Sequence, residues 1–362
     1  MPLNPMPPAE IVNRLKSGVV IPAHPLALKA DRTLDEQRQC ALTRYYLAAG
    51  AGGVAVGVHT TQFEIREHGL YQRVLRLAAE TVREVEGQGG DPVIRVAGLA
   101  GKTAQATGEA KQAKELGYHA GLLSLAALKQ ASDADLIAHC QAVAEVLPLM
   151  GFYLQHSVGG RPLSYSFWRA FSDIPNVVAI KIAPFDRYLT QVVLRAVYDA
   201  GRTSDIALYT GNDDNIILDL LTGHHFNEAI RHATGSGSPV RITGGLLGHW
   251  AVWTKSAVEQ LQQVKELVAS GAPIPQSLLT LAAQVTDANS AFFDPGNHYA
   301  GCIAGIHEVL CRQGLMAGRW TLNPNEDLSP GQNDEIERVY RAYPHLNDDH
   351  FVRANLAQWM TP

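Results

Sequence analysis

A lysine set in an apolar run is the residue in this sequence best suited to chemistry. The run Pro175-Asn-Val-Val-Ala-Ile-Lys-Ile-Ala-Pro184 is rich in β-branched residues, carries Lys181 and ends at a proline. It reads as a fully buried strand of a parallel sheet. An unpartnered ammonium is costly to bury there. A free lysine titrates near ~10.4 and is almost wholly charged at neutral pH. Desolvation disfavours the charge and can bring that value to ~7–8, where an appreciable share of the amine is neutral and can attack a carbonyl. The other reading is a strand-end lysine with a buried stem and its head in water. The stretch by itself leaves both readings open.

The elements that would position Lys181 follow from hydrophobic patterning. Short apolar runs at 18–22, 53–57, 92–97, 119–125, 151–155, 177–182, 205–209 and 240–243 alternate with helical patterns. Strict alternation implies a parallel sheet. Eight units over about 250 residues predict an α/β fold of the (β/α)8 TIM-barrel type. A doubly wound open sheet is the runner-up, but no G-x-G-x-x-G follows the first strand. Beyond Gly271 the strand signal stops, and helices are expected at 275–285, 290–314, 333–343 and 348–359. The predicted division is therefore a barrel over 15–270 and a C-terminal helical extension over 271–362.

A barrel of this kind gathers catalytic groups at the C-terminal ends of its strands. Those ends hold Gly57, His59, Thr60 and Thr61 after strand two, and Tyr153, Gln155 and His156 at strand five. Strand six brings Lys181, strand seven leads into Gly211, Asn212 and Asp213, and strand eight ends at Thr243. Strands five and six are sequential, so Tyr153 and Lys181 are expected to converge on the interior. A phenol beside an amine can relay the protons of Schiff-base chemistry.

At these residues the sequence resembles a divergent member of the dihydrodipicolinate synthase/N-acetylneuraminate lyase family of class I aldolase-like barrels. The resemblance is carried by Tyr153, which opens Tyr-Leu-Gln-His-Ser-Val-Gly-Gly-Arg-Pro-Leu, and by Lys181, 28 positions later in Val-Ala-Ile-Lys-Ile-Ala. Tyr209-Thr-Gly-Asn-Asp-Asp214 and Arg241-Ile-Thr-Gly-Gly245 are similar to the family's strand-seven and strand-eight motifs. Gly57 with His59-Thr-Thr61 stands where the family has Gly-Thr-Thr-Gly-Glu; without a gap Val58 and His59 take the threonine positions, and with a two-residue shift Thr60 and Thr61 do.

The resemblance implies a Schiff-base-forming lyase, aldolase or dehydratase. Lys181 would form an imine with pyruvate or another 2-oxo acid, and Tyr153 would relay protons. Backbone amides around His59, Thr60 and Thr61 would hold the carboxylate, with His156, Gly211 and Thr243 also lining the substrate site. No metal or organic cofactor is required, and a homo-oligomer, a dimer or tetramer, is implied. Some departures bear on the substrate. The arginine that a true synthase carries five residues after the tyrosine is Val158 here, and its paired aromatics after strand four are Ala126-Ala127-Leu128. Lysine-pathway synthase activity is therefore not expected, and a 2-oxo acid with an apolar or aromatic tail fits better. A barrel that keeps the lysine but only binds or senses a 2-oxo acid is the alternative. A third, weaker reading places phosphate sites at strands seven and eight.

Composition narrows the remaining classes. The chain has 362 residues and a formal net charge of −5 without a dense basic run, so nucleic acid is not an expected partner. Cys40, Cys140, Cys302 and Cys311 show no C-x-x-C spacing, which argues against a zinc site or disulfide framework. No run reaches the ~18–20 apolar residues of a membrane span, and a reducing, cytoplasmic setting is expected. The segment 223–238 exceeds the family norm and ends in glycine and serine; it reads as a loop or hairpin that overhangs the site or builds an oligomer contact. His224 and His225 lie in it without further metal ligands at suitable spacing.

Overall fold

The computed structural model describes residues 4–227 and 239–361. Eight short strands form one parallel sheet: β1 (Val20–Pro22), β2 (Gly53–Val56), β3 (Ile94–Leu99), β4 (Ala120–Leu123), β5 (Leu149–Leu154), β6 (Val177–Ala183), β7 (Ala207–Thr210) and, last in the chain, β10 (Gly244–Leu247). Their hydrogen-bonded order is β1-β10-β7-β6-β5-β4-β3-β2. The ring closes where Ala23 bridges Ala55 and the His24 N–H donates to the Ala55 carbonyl at 2.8 Å. The expected (β/α)8 barrel is therefore the observed fold.

Helices α2 (Glu36–Ala48), α3 (Tyr71–Gly87), α4 (Thr103–Glu115), α5 (Asp133–Ala144), α6 (Tyr165–Ser172), α7 (Arg187–Asp199), α8 (Ile216–Leu221) and α9 (Thr254–Ser270) follow the strands. Side chains alternate across a strand, so two apolar layers result. One fills the barrel and includes Ile21, Val96, Met150, Phe152 and Leu246. The other lies between strands and helices and includes Val54, Leu123, Tyr153, Trp168 and Ile182.

The sequence reading missed α1 (Ala9–Ser17). Ile11 and Leu15 of this helix join the interior layer, and the Tyr209 hydroxyl donates to the Leu15 carbonyl at 3.0 Å. Because α1 closes the N-terminal end of the barrel, the opposite end is left to hold a site.

The eighth barrel strand is not at 240–243. Val240–Arg241 is β9, paired antiparallel with β8 (Gly223–His224) outside the barrel. The barrel strand is the glycine-led β10, in register with β7 through Gly244–Tyr209 and with β1 through Gly245–Val20. A Cβ at Gly244 would stand 2.7 Å from the Val19 backbone, so close strand packing requires glycine where β-branched residues had drawn attention.

The C-terminal helices also differ from expectation. α10 (Gln276–Phe293) continues through the supposed gap, and the chain then breaks at Pro295–Asn297 before α11 (Cys302–Arg312). Asp294, His298 and Tyr299 take left-handed backbone angles around that break. Helices α12 (Gln332–Ala342) and α13 (Asp349–Trp359) complete the chain. The segment predicted to overhang the site falls largely outside the described residues; of it, His224 stacks beside Phe226 and meets the Gln191 amide at 3.0 Å.

Candidate active site

Lys181 sits near the C-terminal end of β6, 8% exposed, and lines a pocket at the open end of the barrel. Its Nζ lies 4.8 Å from the centre of the Phe152 ring. Burial pushes its pKa down, and the nearby Asp213 carboxylate resists that shift. Among the described residues no carboxylate is within ion-pairing distance of Nζ, so the desolvated amine faces the pocket without a salt bridge.

Gly211, just past β7, makes room for the lysine stem. A Cβ there would stand 2.6 Å from Lys181 Cε and 2.7 Å from the Ala183 Cβ. The turn beyond it is fixed by a buried carboxylate. Asp219 Oδ2 accepts from the Thr210 hydroxyl at 2.7 Å and the Asn212 amide at 2.9 Å; its Oδ1 accepts from Arg187 at 2.6 Å. Asn212 Oδ1 in turn accepts the Phe185 N–H at 3.0 Å.

Held on this turn, Asp213 lines the pocket and is 4% exposed. Its Oδ1 accepts the His249 N–H at 2.8 Å. Burial raises its pKa, with the Lys181 charge opposing. Asp213 stands in the Asn-Asp-Asp run already noted at the end of strand seven, which was the one available signal for it.

The turn after β2 supplies the opposite wall. The Thr61 hydroxyl accepts the Gly57 N–H at 3.0 Å and donates to the His24 carbonyl at 2.6 Å; the Thr60 hydroxyl donates to the Ala23 carbonyl at 2.8 Å. Thr60 and His59 line the pocket, whereas Thr61 is spent on holding the turn. His59 and Thr60 open a one-turn 3-10 helix, whose first N–H groups have no intrahelical acceptor. Burial, helped by the Lys181 charge, lowers the His59 pKa to about 4, so its imidazole is neutral.

Tyr153 does not meet Lys181. The β5–β6 register slips by one between Leu149 and Met150, so that Phe152 pairs with Lys181 and Tyr153 with Ile182. A one-residue slip sends a side chain to the other face of a strand. Tyr153 therefore packs outward against Trp168, ring centres 5.4 Å apart, and its hydroxyl donates to the Leu163 carbonyl at 3.3 Å. His156 is exposed on the rim. Thr243 precedes β10 and lies at the closed, N-terminal end, where its N–H donates to the Leu208 carbonyl and it lines a separate cavity with Ser17 and Leu261. Neither belongs to the pocket.

Three pocket residues come from the C-terminal helices and had no sequence signal: Phe293, Tyr299 and Cys302. The break after α10 delivers Tyr299, whose ring meets Phe185 edge-on at 5.8 Å. Phe185 and Tyr299 have φ of 53° and 64°. Such angles are strained for aromatic residues and cluster where function over-determines the backbone. With Phe152, Leu154 and Val158 these rings make most of the wall apolar, and among the described residues no arginine lines it. Among the described residues no group of three His, Cys, Asp or Glu is placed to hold a metal, and no helix is long and apolar enough to cross a membrane.

The likenesses to known proteins agree with the barrel fold. The 4-hydroxy-tetrahydrodipicolinate synthase of Symbiobacterium thermophilum is 27% identical over 213 residues, covering 58% of this chain and 67% of that protein. The crystal structure of dihydrodipicolinate synthase from Acinetobacter baumannii complexed with pyruvate superposes with a TM-score of 0.70 at 18% identity, covering 90% of this chain and 98% of that one. N-acetylneuraminate lyase from Fusobacterium nucleatum gives 0.68 at 14% identity, covering 91% and 99%. The sequence profile of the dihydrodipicolinate synthetase family matches residues 16–229, more than half of the chain, and the chain belongs to that family.

Proposed function

We propose that this protein is a Schiff-base-forming lyase or aldolase, or a dehydratase, acting on pyruvate or another 2-oxo acid through Lys181. The observation that carries the reading is a desolvated lysine, free of any ion pair among the described residues, aimed into a pocket at the open end of the barrel. Its neutral amine attacks the keto carbon, water leaves, and the imine acts as the electron sink for bond making or breaking at the adjacent carbon. The amides of His59 and Thr60, without an acceptor among the described residues, suit the carboxylate of the 2-oxo acid. The family relative from Acinetobacter baumannii is described in complex with pyruvate.

The pocket wall supports the choice of partner. Phe152, Phe185, Phe293 and Tyr299, with no arginine beside them among the described residues, favour an apolar or aromatic tail over one that carries a second carboxylate. The same reading includes action without a metal or organic cofactor and assembly into a homo-oligomer, which light scattering of the purified protein checks. A second reading, a barrel that binds a 2-oxo acid without turning it over, is favoured by one observation: Phe152 stands where a phenol was expected.

Borohydride reduction separates these possibilities. Incubated with pyruvate and reduced, the protein gains the mass of one reduced pyruvyl group, on the peptide that contains Lys181. No added mass with pyruvate or a panel of other 2-oxo acids removes the Schiff-base reading. An adduct without any carbon–carbon or carbon–oxygen turnover supports the second reading.

A further inference from the structure

Imine chemistry at Lys181 needs a proton donor and acceptor, and the register of β5 takes the Tyr153 phenol out of reach. We propose that Asp213 is the catalytic acid–base group of this site, doing the proton transfers that a phenol on β5 cannot. The inference rests on the Schiff-base reading above.

Geometry places Asp213 in the same pocket as the lysine. β7 lies next to β6, with Tyr209 in register with Lys181, and Asp213 follows on the turn that leaves β7. That turn is locked by the Asp219 network, so the carboxyl is pre-positioned. Oδ1 is held by the His249 N–H, while Oδ2 makes no hydrogen bond among the described residues. Among the described residues the carboxyl and the amine form no ion pair, and both face the same pocket.

The other protic groups of the pocket suit the task less well. His59 is held neutral by burial down to about 4 and cannot serve as an acid near neutral pH. Burial raises the Tyr299 phenol and the Cys302 thiol, so neither gives up its proton easily. Burial raises the Asp213 carboxyl towards neutrality, where one group can serve both as acid and as base. Among the described residues, the charged and titratable groups around it include Lys181, Asp214, Tyr299 and Cys302, with His249 bonded to it through its N–H and His59 across the pocket.

The steps balance with this one group. The Lys181 amine adds to the keto carbon to give a carbinolamine. Neutral Asp213 protonates the carbinolamine hydroxyl; the C–O bond breaks, water leaves, and the protonated imine forms beside the Asp213 carboxylate. That carboxylate then removes a proton from the carbon next to the imine carbon, giving the enamine and restoring the neutral acid.

The test uses the full chain with pyruvate in deuterated water, following loss of the methyl protons by NMR, and borohydride trapping in parallel. Asp213→Asn keeps an acceptor for the His249 N–H. It is expected to reach the trapped adduct more slowly but still on long incubation, while the exchange rate falls by about 100-fold or more, the usual reach of acid–base catalysis. Tyr153→Phe is expected to exchange within about twofold of the parent, since its phenol packs outside the pocket on the Leu163 carbonyl. Asp213→Asn exchanging as fast as the parent, or Tyr153→Phe losing exchange while Asp213→Asn keeps it, overturns the proposal. If Asp213→Asn does not fold, Asp213→Glu carries the test. It is expected to exchange more slowly with a displaced pH profile, and an unchanged rate and profile overturn the proposal. Failure of the parent to trap pyruvate or any other 2-oxo acid is a different result: it removes the Schiff-base reading itself.

Discussion

Strands β5 and β6 lie side by side, are equally buried and each carry a residue of catalytic type, yet only one serves the pocket. On β6, Lys181 points into the barrel; on β5, Tyr153 points out between strand and helix. The difference comes from one irregular step between Leu149 and Met150. Sequence separation makes the strands neighbours, but the parity of the register decides which face a side chain takes. Phe152 inherits the inward position and brings an aromatic face without a proton.

The sharpest way to break this contrast is to remove the inward group. Lys181→Met should abolish trapping and lower turnover by roughly three orders of magnitude or more, as loss of a covalent nucleophile does. Steady-state rates above that level would place the nucleophile elsewhere. A smaller effect is expected from Gly211→Ala. The new Cβ meets the lysine stem at 2.6 Å, and a displacement of this kind typically lowers kcat by about 10–100-fold with the fold intact. An unchanged kcat would mean that the stem relaxes without moving Nζ.

Acid should weaken the fold through histidines in both layers. His24, His249 and His307 are buried and His59 is half-buried in the pocket wall, and burial lowers each to about 4. An unfolded histidine titrates near ~6.5. The neutral form is thus the folded one, and its contribution is complete above ~6.5 and lost as pH falls towards 4, at up to about 2 kcal/mol per histidine at pH 5. The melting temperature should fall between pH 7 and pH 5; a flat profile would show that these rings find water or partners when charged.

The smallest effect belongs to the outward group. Tyr153→Phe removes the bond to Leu163, so stability should drop by about 1 kcal/mol while kcat changes by less than about twofold. A large loss of activity with an unchanged melting temperature would restore the tyrosine to the chemistry.

Much of the molecule was legible from residue order alone. The alternation of apolar runs gave the barrel, and an apolar run with one lysine marked the strand of the proposed nucleophile. What stayed hidden has physical reasons. The last barrel strand begins with two glycines chosen for close packing, while the β-branched Val240 belongs to an outer hairpin, so propensity pointed to the wrong four residues and to Thr243. The slip in β5 leaves no local mark in the sequence. Tyr299 and Cys302 reach the pocket only through the fold of helices some hundred residues beyond Lys181. Asp213 was visible as part of an acidic pair, but only burial beside the lysine separates it from Asp214, which pairs with Arg187 at 3.6 Å.

The central claim is tested most directly by a crystal structure of the borohydride-reduced pyruvate adduct. Continuous density is expected from Lys181 Nζ to the former keto carbon. The pyruvyl methyl group should lie towards Asp213 and Phe152, with the Tyr153 hydroxyl still on Leu163. An adduct on another lysine, or Tyr153 turned inward onto the pyruvyl group, would contradict it.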